Sequence, residues 1–117
     1  MLPMTLLYSS DGSTTTGSVF GMPSELFHAG VFGFSLHQSY GAASNGTWKI
    51  EVSNDVTALT DATNAAWDDE TSAFSLTDPS AAGAAEELLQ FEGKFLAIRA
   101  TYTKTAGTNA ITLRMLL

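Results

Sequence analysis

Strict alternation of apolar and polar residues in two segments constrains the fold of this chain most strongly. Within residues 46–55, Trp48, Ile50 and Val52 occupy every second position, with polar side chains between them. The same alternation in residues 93–104 is carried by Leu96, Ile98, Ala100 and Tyr102. A period of two places such residues on one face of a β-strand. Both segments are therefore predicted to be strands that bury one face.

Further strands are predicted on weaker signals. Residues 4–8 are expected to form a first strand, residues 73–77 a short one and residues 111–116 the last. The segment 26–40 is predicted as a strand whose inner face is formed by Phe32, Phe34, Leu36 and Gln38. Residues 79–90 are rich in alanine and also hold Glu and Leu, which favours one or two helical turns there.

Turn residues between the strands predict two hairpins. Asn45-Gly46 is a pair that tolerates the positive φ of tight turns, and it is expected to join the strand 26–40 to the strand 46–55. The loop 105–109 has Gly at its centre and is expected to pair the last two strands. Residues 9–18 are too polar for a core, and they are predicted to form a long loop or an arm.

Many short strands with at most one short helix define an all-β chain, namely an antiparallel β-sandwich or jelly-roll. A length of 117 residues predicts a single domain over residues 1–117, in which residues 1–20 would include the extended arm. We find no internal repeat and no linker in the sequence.

Composition and charge argue against several classes of function. The formal net charge is −7, and the five basic residues are scattered: Lys49, Lys94, Arg99, Lys104 and Arg114. Without a basic stripe, neither nucleic-acid binding nor docking on an anionic membrane is expected. The absence of Cys removes disulfides and thiol chemistry. A secretory signal and a transmembrane helix are not expected, because the sequence has no long apolar run.

The residue types that carry catalysis are poorly placed. His28 and His37 are the two histidines, and both lie in or beside one Phe-rich segment. The Asp68-Asp69-Glu70 run could serve as acid and base or bind Ca²⁺, but consecutive carboxylates are more typical of a solvated loop. We therefore predict no catalytic, cofactor-binding or metal-binding residue and no cofactor, and we predict that the chain is not an enzyme.

The aromatic residues and Arg99 suggest structural roles. Trp48 is predicted to be core because it shares a face with Ile50, whereas Trp67 is expected either in the core or in a surface contact. Exposure of both Trp67 and Tyr40 on one rim would favour sugar binding. A mid-strand Arg99 without a partner would be costly, so we expect it to pair with a carboxylate or carbonyl, with Glu51 as the candidate across the sheet.

Two segments resemble a pattern seen in small tailed-bacteriophage virion proteins. Residues 46–55 match a Gly-x-Trp-x-x-Glu-x-Ser-Asn-Asp strand. A later Trp and a late strand complete the pattern, here Trp67, Arg99, Tyr102-Thr103, Ala106-Gly107-Thr108 and Ile111–Arg114. The resemblance covers less than half of the chain and implies a β-sandwich of the head decoration, head-fibre or tail accessory type, with some likeness to discoidin-type binders. It carries over no functional residue.

The resemblance and the low charge, 15% of residues, lead to one functional expectation. The chain is expected to be a bacteriophage virion protein that decorates (cements) the capsid through contacts with the major capsid protein or other virion proteins, as a homotrimer. The alternatives are a tail or head-fibre adaptor and a carbohydrate-binding β-sandwich module. The apolar end 114–117 is expected to be buried, against another chain.

Overall fold

Nine strands form two antiparallel sheets in the part of the chain that the structure describes. That structure is a computed structural model, and it describes residues 3–10, 12–21, 33–40, 44–74, 76–79, 85–92, 95–107 and 110–116. The strands are β1 (Pro3–Ser9), β2 (Thr15–Thr16), β3 (Phe20–Gly21), β4 (Gly33–Tyr40), β5 (Asn45–Ser53), β6 (Asp68–Asp69), β7 (Ala85–Glu92), β8 (Ala97–Ala106) and β9 (Ile111–Leu116). A 3-10 turn (Val56–Leu59) and one α-helical turn, α1 (Thr71–Phe74), accompany them.

The strand order is that of a jelly-roll. Sheet A has the order β1-β9-β4-β7, and sheet B has the order β2-β8-β5-β6, with β3 also paired to β8. When β2 and β3 are counted as one interrupted strand, the eight strands run 1-8-3-6 in one sheet and 2-7-4-5 in the other. Successive strands mostly cross from one sheet to the other, as in the two Greek keys of a jelly-roll. The predicted all-β antiparallel fold is therefore confirmed.

The core lies between the two sheets and is built from the predicted alternating faces. Its fully buried members come from β1, β4, β5, β8 and β9 and include Leu6, Leu7, Leu36, Ile50, Ile98, Tyr102, Ile111, Leu113 and Met115. Leu36 and Gln38 face inward from β4 as predicted, whereas the side chains of Phe32 and Phe34 lie outside the described set. Alternation thus decides most of the buried positions in β4, β5, β8 and β9, whereas β1 buries the consecutive Leu6 and Leu7 at an irregularity in its pairing with β9.

Both predicted hairpins are wrong, because the strands on either side of each turn belong to different sheets. β4 lies in sheet A and β5 in sheet B, and Asn45-Gly46 opens β5 at an irregularity in its pairing with β8. A Cβ at Gly46 would collide with the Tyr102 ring and the Thr103 carbonyl, which explains the glycine without a turn. β8 and β9 are likewise separated by a crossover. Turn residues at these positions mark sheet-to-sheet connections.

Two secondary-structure predictions between residues 73 and 92 are also wrong. The first two residues of the predicted strand 73–77 belong instead to α1. The Ala73 and Phe74 amides donate to the Glu70 carbonyl at 3.0 and 3.1 Å. The predicted helical turns include residues 85–90, which belong to β7. β7 pairs with β4 over its whole length, from Ala85 opposite Tyr40 to Glu92 opposite Gly33. Pairing with a neighbouring strand overrides local helix propensity there.

The segment predicted as a loop or arm lies against sheet B. Thr15–Thr16 and Phe20–Gly21 pair with β8, and the Gly17 amide donates to the Ala100 carbonyl at 2.9 Å. β1 itself is an edge strand of sheet A. At the other end of the chain, Met115 is buried in the core of its own chain and Arg114 is exposed, so Met115 is buried as expected but within the chain, and burial of this end against another chain stays a prediction. Leu117 lies outside the described residues.

Candidate functional site

An ion-pair cluster lies on the outer face of sheet B. Glu51 of β5 stands directly opposite Arg99 of β8, and the Arg99 Nε donates to the Glu51 Oε1 at 3.0 Å. The Lys49 Nζ lies 3.5 Å from the other carboxylate oxygen. Glu51 is buried, with 8% of its surface exposed, so its charge needs these partners. The predicted pairing of Arg99 with Glu51 is confirmed.

Trp67 covers the same cluster from the loop that follows β5. The Arg99 guanidinium carbon lies 4.1 Å from the centre of the Trp67 ring, a cation–π arrangement. The Trp67 Nε1 donates to the Ala62 carbonyl at 3.0 Å. Trp67 is half-buried and one face of its indole is taken by Arg99, while Tyr40 is buried. The pair expected for a sugar-binding rim is therefore not exposed together.

We expect replacement of Arg99 by Ala to lower the free energy of unfolding by about 1–3 kcal/mol, because a nearly buried Glu51 loses a charged hydrogen bond and Trp67 loses its cation. Arg99→Lys keeps the charge but lacks the planar guanidinium, so it should lose less than Arg99→Ala. Urea unfolding followed by tryptophan fluorescence measures both. An Arg99→Ala variant as stable as the parent chain would show that the cluster does not stabilise the fold.

Residues 54–67, hereafter the 54–67 loop, are held by their own hydrogen bonds. The Asp55 carboxylate accepts from the amides of Thr57 at 2.9 Å and Ala66 at 3.0 Å, which ties the start of the loop to its end. The Ser53 hydroxyl donates to the Ala66 carbonyl at 2.6 Å. Compact loops whose ends meet in this way and that pack on their own side chains are often functional.

Acid is expected to loosen this loop through Asp55. Hydrogen bonds from Ala66 and then Thr57 hold the pKa of the Asp55 carboxyl below its usual 3.8. A carboxylate with a lowered folded pKa stabilises the fold above its unfolded pKa, and this contribution is lost as pH falls below about 3.8. Asp55→Asn should therefore flatten the decline of stability below that pH, measured by thermal unfolding over an acid pH series. Asp68→Asn removes the same charge and serves as control, and an equal flattening in both variants would contradict the assignment.

The 54–67 loop also presents two apolar side chains to solvent. Val56 is 69% and Leu59 45% exposed, whereas Ala58 between them is buried. A 3-10 helix has about three residues per turn, so side chains three positions apart lie on the same face. Val56 and Leu59 therefore form a short apolar ridge, hereafter the Val56–Leu59 ridge. Sequence reasoning missed it, although a Val and a Leu spaced by three within a polar segment were the available signal.

A polar network is enclosed in the core near the opposite end of β5. The Trp48 Nε1 donates to the Gln38 Oε1 at 2.8 Å, and the Gln38 Nε2 donates to the Thr77 carbonyl at 2.8 Å. The predicted core position of Trp48 is confirmed, since it is 4% exposed. Within the described residues, the hydroxyls of Tyr102 and Ser44 are buried without a hydrogen-bond partner.

We expect Tyr102→Phe to be neutral or stabilising at pH 7, because it removes a buried hydroxyl that has no partner and keeps the ring. Burial, and then the charge of Asp78, raises the pKa of the Tyr102 hydroxyl above 10.0. The fold disfavours the ionised hydroxyl, so the contribution of Tyr102 to stability is constant below pH 10.0 and falls as pH rises from there through the raised pKa, a loss that the Phe variant lacks. Thermal unfolding at neutral and alkaline pH tests this, and a loss above about 1 kcal/mol at pH 7 would contradict it.

The remaining candidate residues are separated from one another. His37 lies half-buried on β4, and His28 is outside the described residues. Asp68 and Asp69 are exposed on β6, where the Asp69 carboxylate accepts from the Thr71 amide at 3.0 Å. Hydrogen bonds from the Thr71 hydroxyl and then its amide hold the Asp69 pKa below its usual value. No group of three or more potential metal ligands occurs in the described part of the chain.

Comparison with known proteins identifies no relative. No protein-family model, no curated protein and no solved structure matches this chain. In the residues that the structure describes, no helix is both long and apolar enough to cross a membrane.

Proposed function

We propose that this chain is a structural protein of a bacteriophage virion that decorates the capsid through protein–protein contacts. The observation that carries the proposal is the strand order, because the double-sheet jelly-roll is a common architecture of viral capsid proteins. The resemblance of residues 46–55 and 93–114 to virion proteins supports it further. One fold serves many functions, so the proposal has to be tested by measuring how much of this chain purified bacteriophage particles contain.

The proposed mechanism is contact repeated by symmetry. The partner is the major capsid protein, and the decorating unit is a homotrimer placed between capsid subunits. Each contact is modest, but linked contacts on a regular lattice add through avidity. The internally bonded 54–67 loop and the ion-paired outer face of sheet B give the domain fixed surfaces for such contacts.

An adaptor of the tail or head fibre is the second candidate, and it shares the same fold and resemblance. A carbohydrate-binding module is less well supported, because Tyr40 is buried and Arg99 covers one face of Trp67. Recognition of a sugar requires exposed aromatic faces with polar groups around them.

Quantitative mass spectrometry of purified particles tests the proposal. The amount of this chain is scaled against the major capsid protein of the same particles. A near one-to-one ratio, or several hundred copies, is the expected result for a decoration protein. A few to a few dozen copies would assign the chain to the tail, neck or fibres, and absence from particles would overturn a virion function.

A further inference from the structure

The Val56–Leu59 ridge is an exposed apolar feature on a well-braced base. Among the described residues, the large apolar side chains with high exposure are Tyr8, Val56 and Leu59. Single exposed apolar residues such as Tyr8 are ordinary on protein surfaces. Val56 and Leu59 differ because they lie on one face of one turn, anchored by the buried Ala58 and by the Asp55 cap. Because the backbone of the turn is already held, covering the ridge costs mainly the rotamer freedom of the two side chains.

The charged residues next to the ridge along the loop are the acidic Asp55 and Asp61. Arg99, which stacks on Trp67 at the end of the loop, and Lys49 are paired with Glu51. The sequence holds no Lys or Arg between residues 50 and 93. Asp61 follows the ridge directly, with its amide donating to the Thr57 carbonyl at 2.7 Å. The Ala66 amide lies against Asp55, and the exposed carboxylates Asp68 and Asp69 follow within three residues. An apolar centre beside acidic side chains is complementary to a partner surface that has an apolar pocket and basic side chains around it.

We infer that the Val56–Leu59 ridge docks into an apolar pocket of a protein partner whose rim carries Lys or Arg. This inference rests on the proposed function, in which that partner is the major capsid protein. A second copy of this chain is a poor occupant, because its own acidic loop would face this one and like charges repel. The ridge would act as the central apolar contact, and the rim charges would set orientation and association rate.

Site-specific photo-crosslinking on particles tests the inference. The full-length chain carries a photoreactive residue at position 59, or at position 8 as control, since Tyr8 is 58% exposed and lies on β1 in sheet A. Each labelled chain is added to bacteriophage particles that were assembled without it. The complexes are irradiated, and the crosslinked peptides are then sequenced. We expect position 59 to crosslink to a capsid peptide richer in Lys and Arg than in Asp and Glu. Crosslinks from position 59 to a second copy of this chain only, or no crosslink at all, would overturn the inference.

Affinity measurements give an independent readout. We expect the double variant Val56→Ser, Leu59→Ser to bind particles at least about tenfold more weakly with only a small loss of thermal stability, because Val56 is 69% and Leu59 45% exposed in the free chain. Tyr8→Ser should bind like the parent chain, and added salt should weaken parental binding. A stable double variant with parental affinity would overturn the inference and leave the proposed function standing. Absence of the chain from particles would remove both.

Discussion

Replacement of Trp48 by Ala is expected to lower the free energy of unfolding by about 3–5 kcal/mol, the usual cost of removing a buried aromatic side chain. Trp48 is 4% exposed, and its ring centre lies 5.3 Å from that of Tyr102. The substitution also leaves the buried Gln38 Oε1 without its 2.8 Å hydrogen bond from the indole. The cavity and the lost hydrogen bond therefore act together. Urea unfolding monitored by far-ultraviolet circular dichroism measures the loss.

Trp48→Phe separates the two contributions. It keeps much of the apolar volume but removes the indole donor, so we expect a smaller loss of about 1–3 kcal/mol from the lost hydrogen bond to Gln38. The predicted order of stability is parent, Trp48→Phe, Trp48→Ala. Equal stability of the Ala variant and the parent would mean that the two sheets do not pack through Trp48.

Replacement of Gly17 by Ala has the second largest expected effect, a loss of about 3 kcal/mol, at the upper end of the range for overpacking. A Cβ at this position would overlap the Leu6 carbonyl, which is backbone and cannot turn aside. Gly17 cannot retreat either, because its amide donates to the Ala100 carbonyl of β8. The glycine thus lets the first strand of sheet A and the edge of sheet B approach each other closely. Thermal and urea unfolding of the purified variant check the result.

Gly21→Ala is the matched control for Gly17. A Cβ at Gly21 would meet only the end of the Leu59 side chain, at 2.8 Å, and that side chain is exposed and flexible. We expect the Gly21 variant to lose much less than the Gly17 variant. Equal losses would show that contact with the Leu6 carbonyl does not set the cost at Gly17, because replacing a strand glycine by alanine should otherwise be neutral or slightly stabilising.

The alternating segments were predicted well because the alternation of apolar and polar residues within one segment shows which face of the strand is buried. Trp48 and Ile50 of β5 and Ile98, Ala100 and Tyr102 of β8 are buried as expected. The pairing of Glu51 with Arg99 was also predictable, since a mid-strand Arg needs a partner. Which strands pair was not predictable, because alternation gives the face of a strand but does not name its neighbour. Both predicted hairpins failed for that reason.

β7 illustrates a second limit. Alanine, glutamate and leucine in residues 85–90 favour helix locally, but the chain there pairs residue by residue with β4. A tertiary partner that is distant in sequence therefore outweighs a local preference.

The Val56–Leu59 ridge was missed for a related reason. Apolar residues in a sequence are assigned to the core by default, and only the structure shows that these two are exposed while Ala58 between them is buried. The exposure of such apolar residues therefore has to be read from the three-dimensional structure.

Stability of particles with and without this chain tests the proposed function most directly. Particles assembled without the chain are heated, and the temperature of DNA release is measured before and after purified chain is added back at the copy number of intact particles. We predict release at a lower temperature without the chain, and recovery on add-back, because added contacts between capsid subunits resist opening. The same release temperature with and without the chain would contradict a capsid-stabilising function.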